Sequence, residues 1–219
     1  MAPSPPIKAI IFDFDGTLVN SVNVYLQMFL DLGERFGNGV TKEDFMTLNG
    51  MSVRPAVKLL VKQKKLSRIV IPYLLWNKKK LIRQIEEGTA PYPEVKTTLE
   101  ALKQHYRLVI ATSNTKDFLL RICERYDLMS YFECFFAEED VEKVKPHPEV
   151  FLKAANQLKL SPDECLVIED SPQGVLAAVN AKMRCCAVEH TTEKAYFKQP
   201  PTQFIPNLSF LTKEFIEQL

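Results

Sequence analysis

Glycine is scarce in this chain, seven residues in 219, and no G-x-G-x-x-G or Walker pattern occurs. Sites that cradle nucleotide phosphates in a glycine-rich loop are therefore excluded. No C-x-x-C is present either. The five cysteines, Cys123, Cys134, Cys165, Cys185 and Cys186, are odd in number and lie mostly among apolar neighbours. They read as buried free thiols of a reducing compartment, not as a disulfide framework. A net charge of only +1 gives the chain as a whole no polyanion-binding signature, so nucleic acid is not an expected partner. Long apolar runs are missing too. The most apolar stretch, LSRIVIPYLLW at 66–76, holds an arginine and a proline and is too short to span a bilayer. The opening MAPSPPIK has no apolar signal core. No membrane partner and a cytoplasmic location are the expectations.

What the sequence does have is alternation. Short apolar runs at 9–12, 108–111, 132–136, 166–168 and 185–188 show little polar interruption, as strands buried on both faces do. Adjacent Cys185 and Cys186 would then face opposite sides of a sheet. Between the runs, Val95, Leu99, Leu102 and Tyr106 fall at helical spacing. So do Phe118, Ile122 and Tyr126, and then Phe151, Ala154, Ala155 and Leu158. This rhythm predicts an α/β doubly wound fold with a Rossmann-like parallel sheet. Residues 19–88 break it. They carry no strand signal, only helical text rich in Leu, Lys and Phe that closes at the proline-punctuated TAPYP. The predicted organisation is an α/β core of 1–17 and 89–219 with an inserted α-helical cap at 18–88.

Chemistry concentrates at the ends of the predicted strands. IIFDFDGT, residues 10–17, runs a buried strand into Asp13 and Asp15, which alternation places on one side, and then Gly16, which lets the backbone turn and a ligand approach. Two such charges about 4 Å apart at an effective dielectric of about 20 repel by about 4 kcal/mol. They are tolerable beside a divalent cation or with one of them protonated. An EF-hand does not fit, because its glycine belongs at the sixth loop position. CLVIEDSPQGVLAA, residues 165–178, ends a second buried run in Glu169 and Asp170 before another turn and helix. Ligands of open α/β sheets bind outside the carboxyl ends of strands, so two acidic strand ends point to a cation site, and hard oxygen ligands suit Mg²⁺. Taken singly, each motif is also what a polar turn or a capping loop would show. Thr112, Ser113 and Asn114 follow another strand, where hydroxyl and backbone N–H groups could hold phosphate oxygens or cap the next helix. Lys145, before two prolines and a helix, would help neutralise the carboxylates.

These four motifs in order, Asp13-x-Asp15-Gly16-Thr17, Thr112, Lys145-Pro146 and Glu169-Asp170, resemble those of the haloacid-dehalogenase superfamily. PYPEV and FFAEEDVEKVKPHPEVF are similar to the branch that inserts a helical cap directly after the first motif, a branch that includes phosphoglycolate phosphatase and β-phosphoglucomutase. The resemblance implies a phosphatase of small phosphorylated metabolites working through an aspartyl-phosphate. Asp13 would be the nucleophile and a Mg²⁺ ligand. Asp15 would be the acid and base and touch the metal through its carbonyl. Thr112 would hold the phosphoryl group, and Lys145 would orient Asp13. Asp170 would bind the metal, with Glu169 supporting it directly or through water. Gly16, Ser113 and Asn114 complete the expected phosphate contacts. A mutase reading is disfavoured because Tyr25 stands where those mutases typically carry a histidine, and Arg54 falls one residue late for their G-x-S-R pattern. Dehalogenation has no use for the second aspartate or Mg²⁺. A non-catalytic relative would be marked by loss of Asp13, Asp15 or Asp170, and all three are present. Asn20 and Glu94 depart from common residues without touching these roles.

The charge distribution is uneven. Residues 41–83 hold eleven basic side chains against Glu43 and Asp44, a net of +9 that leaves −8 elsewhere. Such a field could draw anionic substrates toward an acidic, metal-bearing cleft. Arg54, in a stretch read as a loop after Gly50, is the candidate for a direct anion contact.

Overall fold

The computed structural model describes residues 5–37 and 39–219, so residues 1–4 of the expected core lie outside the described residues. Six strands form one sheet: β1 (Ala9–Phe12), β2 (Arg107–Ala111), β3 (Cys134–Phe136), β4 (Cys165–Glu169), β5 (Arg184–Val188) and β6 (Gln203–Ile205). Their order is β3-β2-β1-β4-β5-β6, and every pairing is parallel. This is the Rossmann-like α/β architecture that the alternation of runs and periodic stretches predicted. β1 lies inside the sheet, with Phe12 level with Ile110 on one side and Ile168 on the other. All four of its residues are buried, which is why the run shows no polar alternation.

Side-chain alternation splits the core into two layers. Ile10, Phe12, Ile110, Ile168 and Cys186 join one apolar cluster, and Ala9, Ile11, Val109, Val167 and Cys185 join the other. The adjacent cysteines therefore do face opposite ways. The first layer is covered by α6 (Val95–Leu102) and α7 (Lys116–Arg125), the second by α8 (Glu149–Leu158) and α9 (Pro172–Asn180). Tyr106 and Tyr126, read as parts of helical stripes, lie just beyond α6 and α7 and still pack on the same layer. Two elements escaped the sequence reading, the edge strand β6 and a C-terminal turn of helix, α10 (Lys213–Ile216). The third strand is also shorter than expected and starts at Cys134, not at residue 132.

Between β1 and β2 stand α1 (Val22–Phe36), α2 (Lys42–Leu48), α3 (Val53–Lys62), α4 (Val70–Trp76) and α5 (Lys78–Gly88), with no strand among the described residues. A capping box starts α2: Thr41 accepts from the Asp44 amide at 3.2 Å, and Asp44 accepts from the Thr41 amide at 3.0 Å. The connections into and out of this helical stretch run side by side. Val19 pairs with Pro91, the Asn20 amide donates to the Ala90 carbonyl at 2.8 Å, and the Tyr92 amide donates to the Leu18 carbonyl at 3.1 Å.

Candidate active site

The site is assembled from the carboxyl ends of four parallel strands, where an open α/β sheet leaves its crevice. The Asp13 amide extends the β1 ladder to the Ile168 carbonyl at 2.8 Å, and the Thr112 amide extends β2 to the Phe136 carbonyl at 3.0 Å. Glu169 closes β4, Asp170 follows it, and Lys145 enters from the loop ahead of α8. Lys145 is 1% exposed. Its ammonium donates to Asp13 Oδ1 at 2.6 Å, Glu169 Oε1 at 2.7 Å and the Ala111 carbonyl at 3.0 Å. Burial opposes its charge, but Asp13 and then Glu169 outweigh burial and hold the ammonium above its ordinary range.

The carboxylates outnumber that cation. Oxygens of Asp13, Glu169 and Asp170 lie within 4.8 Å of one another. Burial first and then the Glu169 charge push Asp13 well above the usual carboxylate range, against the pull of Lys145. The same two causes raise Asp170 to about 8. Glu169 is saturated: Oε1 accepts from Lys145, and Oε2 accepts from the Asp170 and Ser171 amides at 3.0 Å and from the Ser171 hydroxyl at 2.8 Å. Asp170 is not. Its Oδ2 accepts from Thr191 at 2.6 Å and from Asn49 at 3.4 Å, while its Oδ1 is buried with no hydrogen-bond partner. An orphaned carboxylate oxygen beside two further carboxylates and one ammonium fits a hard divalent cation.

Asp15 points elsewhere. Its carboxylate accepts from Ser21 Oγ at 2.6 Å, Asn114 Nδ2 at 3.1 Å and Thr112 Oγ1 at 3.5 Å, so the side chain stands outside the three-carboxylate cluster. Burial raises its pKa, and the Ser21 and Asn114 hydrogen bonds partly offset that rise. Asn114 also donates to Tyr25 Oη at 2.7 Å. Ser113 is held by the helical stretch: its hydroxyl donates to the Gly50 carbonyl at 2.9 Å, and its carbonyl accepts from Ser52 at 2.8 Å. The expected phosphate contacts Ser113 and Asn114 thus spend these groups within the protein, and the helix cap is Thr115. Gly16 sits at φ +82, and a Cβ there would lie 2.1 Å from Asp170 Oδ2. The close approach it permits is to Asp170.

Arg54 departs from its expectation. It lies in the first turn of α3, not in a loop. Its side chain is exposed and forms no hydrogen bond or ion pair with any described residue, because the turn around Gly50 ends at Ser52 and the helix carries the next residues away. Glu94, a departure from the common residue that carries none of the chemical roles, has a partner near the site. It meets His190 Nε2 at 3.1 Å, and His190 Nδ1 reaches the Gly16 carbonyl at 3.2 Å while the ring stacks on Tyr92 at 3.8 Å. Sequence reasoning missed Ser21, Asn49, Ser171, His190 and Thr191. The loop after β5 was the one available signal, since it is a further strand end on the same edge. Across the crevice lies the α2–α3 connection, where Asn49 donates to Thr192 at 3.2 Å and Gly50 sits at φ +88 with room for no Cβ against Ser171.

A family model for haloacid dehalogenase-like hydrolases matches residues 10–188, which contain every carboxylate described above together with Lys145. The chain belongs to that family. Among curated relatives, the pyrophosphatase PpaX of Bacillus cereus is 27% identical over 201 residues, 91% of either chain. Among solved structures, one described as a predicted phosphoglycolate phosphatase from Haemophilus somnus is 25% identical with a TM-score of 0.74, covering 95% of this chain and 98% of that one. The β-phosphoglucomutase of Clostridium difficile shares the fold at 19% identity, with a TM-score of 0.81 over 97% of this chain and 96% of its own. Phosphatase and phosphotransferase chemistry is what these relatives carry, a class that includes the phosphatase implied by the four motifs.

Proposed function

We propose that this member of the family is a Mg²⁺-dependent phosphatase of a small phosphomonoester, with Asp13 as the nucleophile. The reading is carried by Lys145, which occupies Asp13 Oδ1 and Glu169 Oε1 together and leaves Asp13 Oδ2 to attack. Oδ2 forms the bond to phosphorus while the bond to the ester oxygen breaks, and the Asp15 carboxyl gives that oxygen its proton. Asp15, now ionised, takes a proton from water, which attacks phosphorus, releases phosphate and restores the Asp13 carboxylate. Its raised pKa favours keeping a proton for the first step. Thr112 would hold the transferring group. Asp13 and Asp170 would hold Mg²⁺, with Glu169 supplying charge from behind. When bound, the ion supplies positive charge to the phosphoryl oxygens.

Sugar phosphates, phosphoglycolate, nucleoside monophosphates and pyrophosphate form the natural assay panel. Phosphate release is expected for at least one of them without an added sugar bisphosphate. It should vanish in excess EDTA, return with Mg²⁺ and be almost absent in Asp13→Asn. Activity of Asp13→Asn, or full activity in EDTA, would sink the scheme. Stoichiometric isomerisation of a hexose phosphate with negligible free phosphate would favour the mutase chemistry instead.

A further inference from the structure

Helix α4 has its apolar side turned outward. Val70 is buried and Tyr73 and Leu74 pack inward, but Ile69 is 63% exposed, Ile71 39%, Leu75 70% and Trp76 88%. At 100° per residue, these four and the exposed Pro72 occupy one arc of about 160°. A surface helix ordinarily shows water its polar side, so a contiguous apolar arc calls for a covering partner.

The chain on either side of that arc is strongly cationic, and the nearest acids, Asp31 and Glu34 of α1, line the cleft on the inner, Tyr73 side of the helix. No acidic residue occurs between Asp44 and Glu86. Arg68 precedes the arc and Lys78, Lys79 and Lys80 follow it, all exposed. Beside Ile69 opens a groove of about 970 Å³ lined by Arg35, Lys58, Lys62, Lys64 and Arg68, with no carboxylate in its wall. Among the described residues, Lys58, Lys62, Lys64, Arg68 and Lys78–Lys80 form no ion pair. The groove shares no residue with the carboxylate crevice, so its charge does not line the site.

We propose that this face docks on an anionic phospholipid surface. An exposed indole next to aliphatic side chains suits the depth of lipid headgroups, and flanking lysines suit the negative potential outside them. The arc is a ridge, not a pocket, and a fluid interface closes round a ridge without matching its shape. A second copy of the chain would bring the same positive field against this one, which opposes self-association here. No helix among the described residues is long and apolar enough to cross a membrane, so the contact is peripheral. The expectation of no membrane partner, drawn from the missing spanning segment, is revised in that sense only. The proposal does not depend on the reaction at the carboxylates.

Trp76 is the sole tryptophan of the chain, so its fluorescence reports this surface alone. The full chain should be mixed with vesicles of phosphatidylcholine, with and without phosphatidylserine. A blue shift and co-sedimentation are expected with the anionic vesicles only, and both should be lost in high salt. The triple variant Lys78→Gln, Lys79→Gln, Lys80→Gln should bind more than about tenfold more weakly. Leu75→Ser with Trp76→Ser should abolish co-sedimentation at unchanged far-ultraviolet circular dichroism. Absence of binding, equal binding to neutral vesicles or an unaffected lysine variant would each overturn the proposal. So would a concentration-dependent shift without vesicles together with a dimer in the ultracentrifuge, which assigns the face to a second copy. Binding to polyglutamate without binding to vesicles would assign it to an acidic protein.

Discussion

A fully buried lysine is costly unless its charge is matched, and Lys145 is matched twice over by Asp13 and Glu169. Asp15 is set apart from that pair by Ser21 and Asn114, so the two aspartates of one motif have different electrostatic environments, as two different chemical roles require. Asp15→Asn keeps the shape and most of these hydrogen bonds but can neither give nor take the proton. Turnover should fall about 10²–10⁴-fold with folding unchanged. Single-turnover assays would check it, and turnover within a few-fold of the parent would remove Asp15 from the proton transfers. The carboxylates and the lysine were legible in the sequence not singly but as a set, two acidic pairs at the ends of apolar runs with a lysine between them in chain order. Asn49, Ser171, Thr191 and His190 were not, because uncharged polar residues in loops look alike until the fold aims them. Arg54 was placed in a loop because the two residues between Gly50 and α3 do not show where the turn stops and the helix starts.

At the scale of elements, the α2–α3 connection is what distinguishes a covered crevice from an open one. Ser52 to the Ser113 carbonyl, Ser113 to the Gly50 carbonyl and Asn49 to Thr192 stitch it across the strand ends. Neutral hydrogen bonds of this kind are worth about 0.5–1.5 kcal/mol each. Asn49→Ala with Ser52→Ala should therefore lower kcat/KM by roughly tenfold, mostly through KM, with little change in global stability. An unchanged KM would show that this connection has no part in holding substrate. The helices of this stretch were legible as a class, since 19–88 contain no strand-like run. Its seam with the sheet was not, because the residues that make it are small and polar. The strand β6 was missed for a related reason: three edge residues, of which only Ile205 is buried, leave too short a pattern to read.

For the whole molecule, concentrating negative charge at one crevice links stability to pH. Asp13 and Asp170 carry folded pKa values raised above those of an unfolded chain, the latter from 3.8 to about 8. A raised carboxyl is stabilising in its protonated form, so its contribution is complete below about pH 4 and is lost as pH climbs toward 8. Between those two pH values each proton that the folded state binds and the unfolded chain does not costs roughly 1.4 kcal/mol of stability per pH unit of rise. In EDTA, Tm should fall as pH rises from about 5 to about 8, and Mg²⁺ should raise Tm most at the upper end. A flat profile in EDTA would show that the carboxylates share their charge more comfortably than their burial implies.

The paired connections at Leu18–Asn20 and Ala90–Tyr92 have a mechanical consequence. A segment tethered by one strand can swivel freely, but one that leaves and returns through two strands bonded to each other is mounted on a strip. Twisting that strip breaks its hydrogen bonds, whereas bending across it does not. Parting the α2–α3 connection from the strand ends is therefore cheapest as a single flap-like rotation that leaves the strip intact. Asp15 and Gly16 adjoin one arm of that strip and Glu94 adjoins the other, so the axis of rotation passes beside the very carboxylates it uncovers.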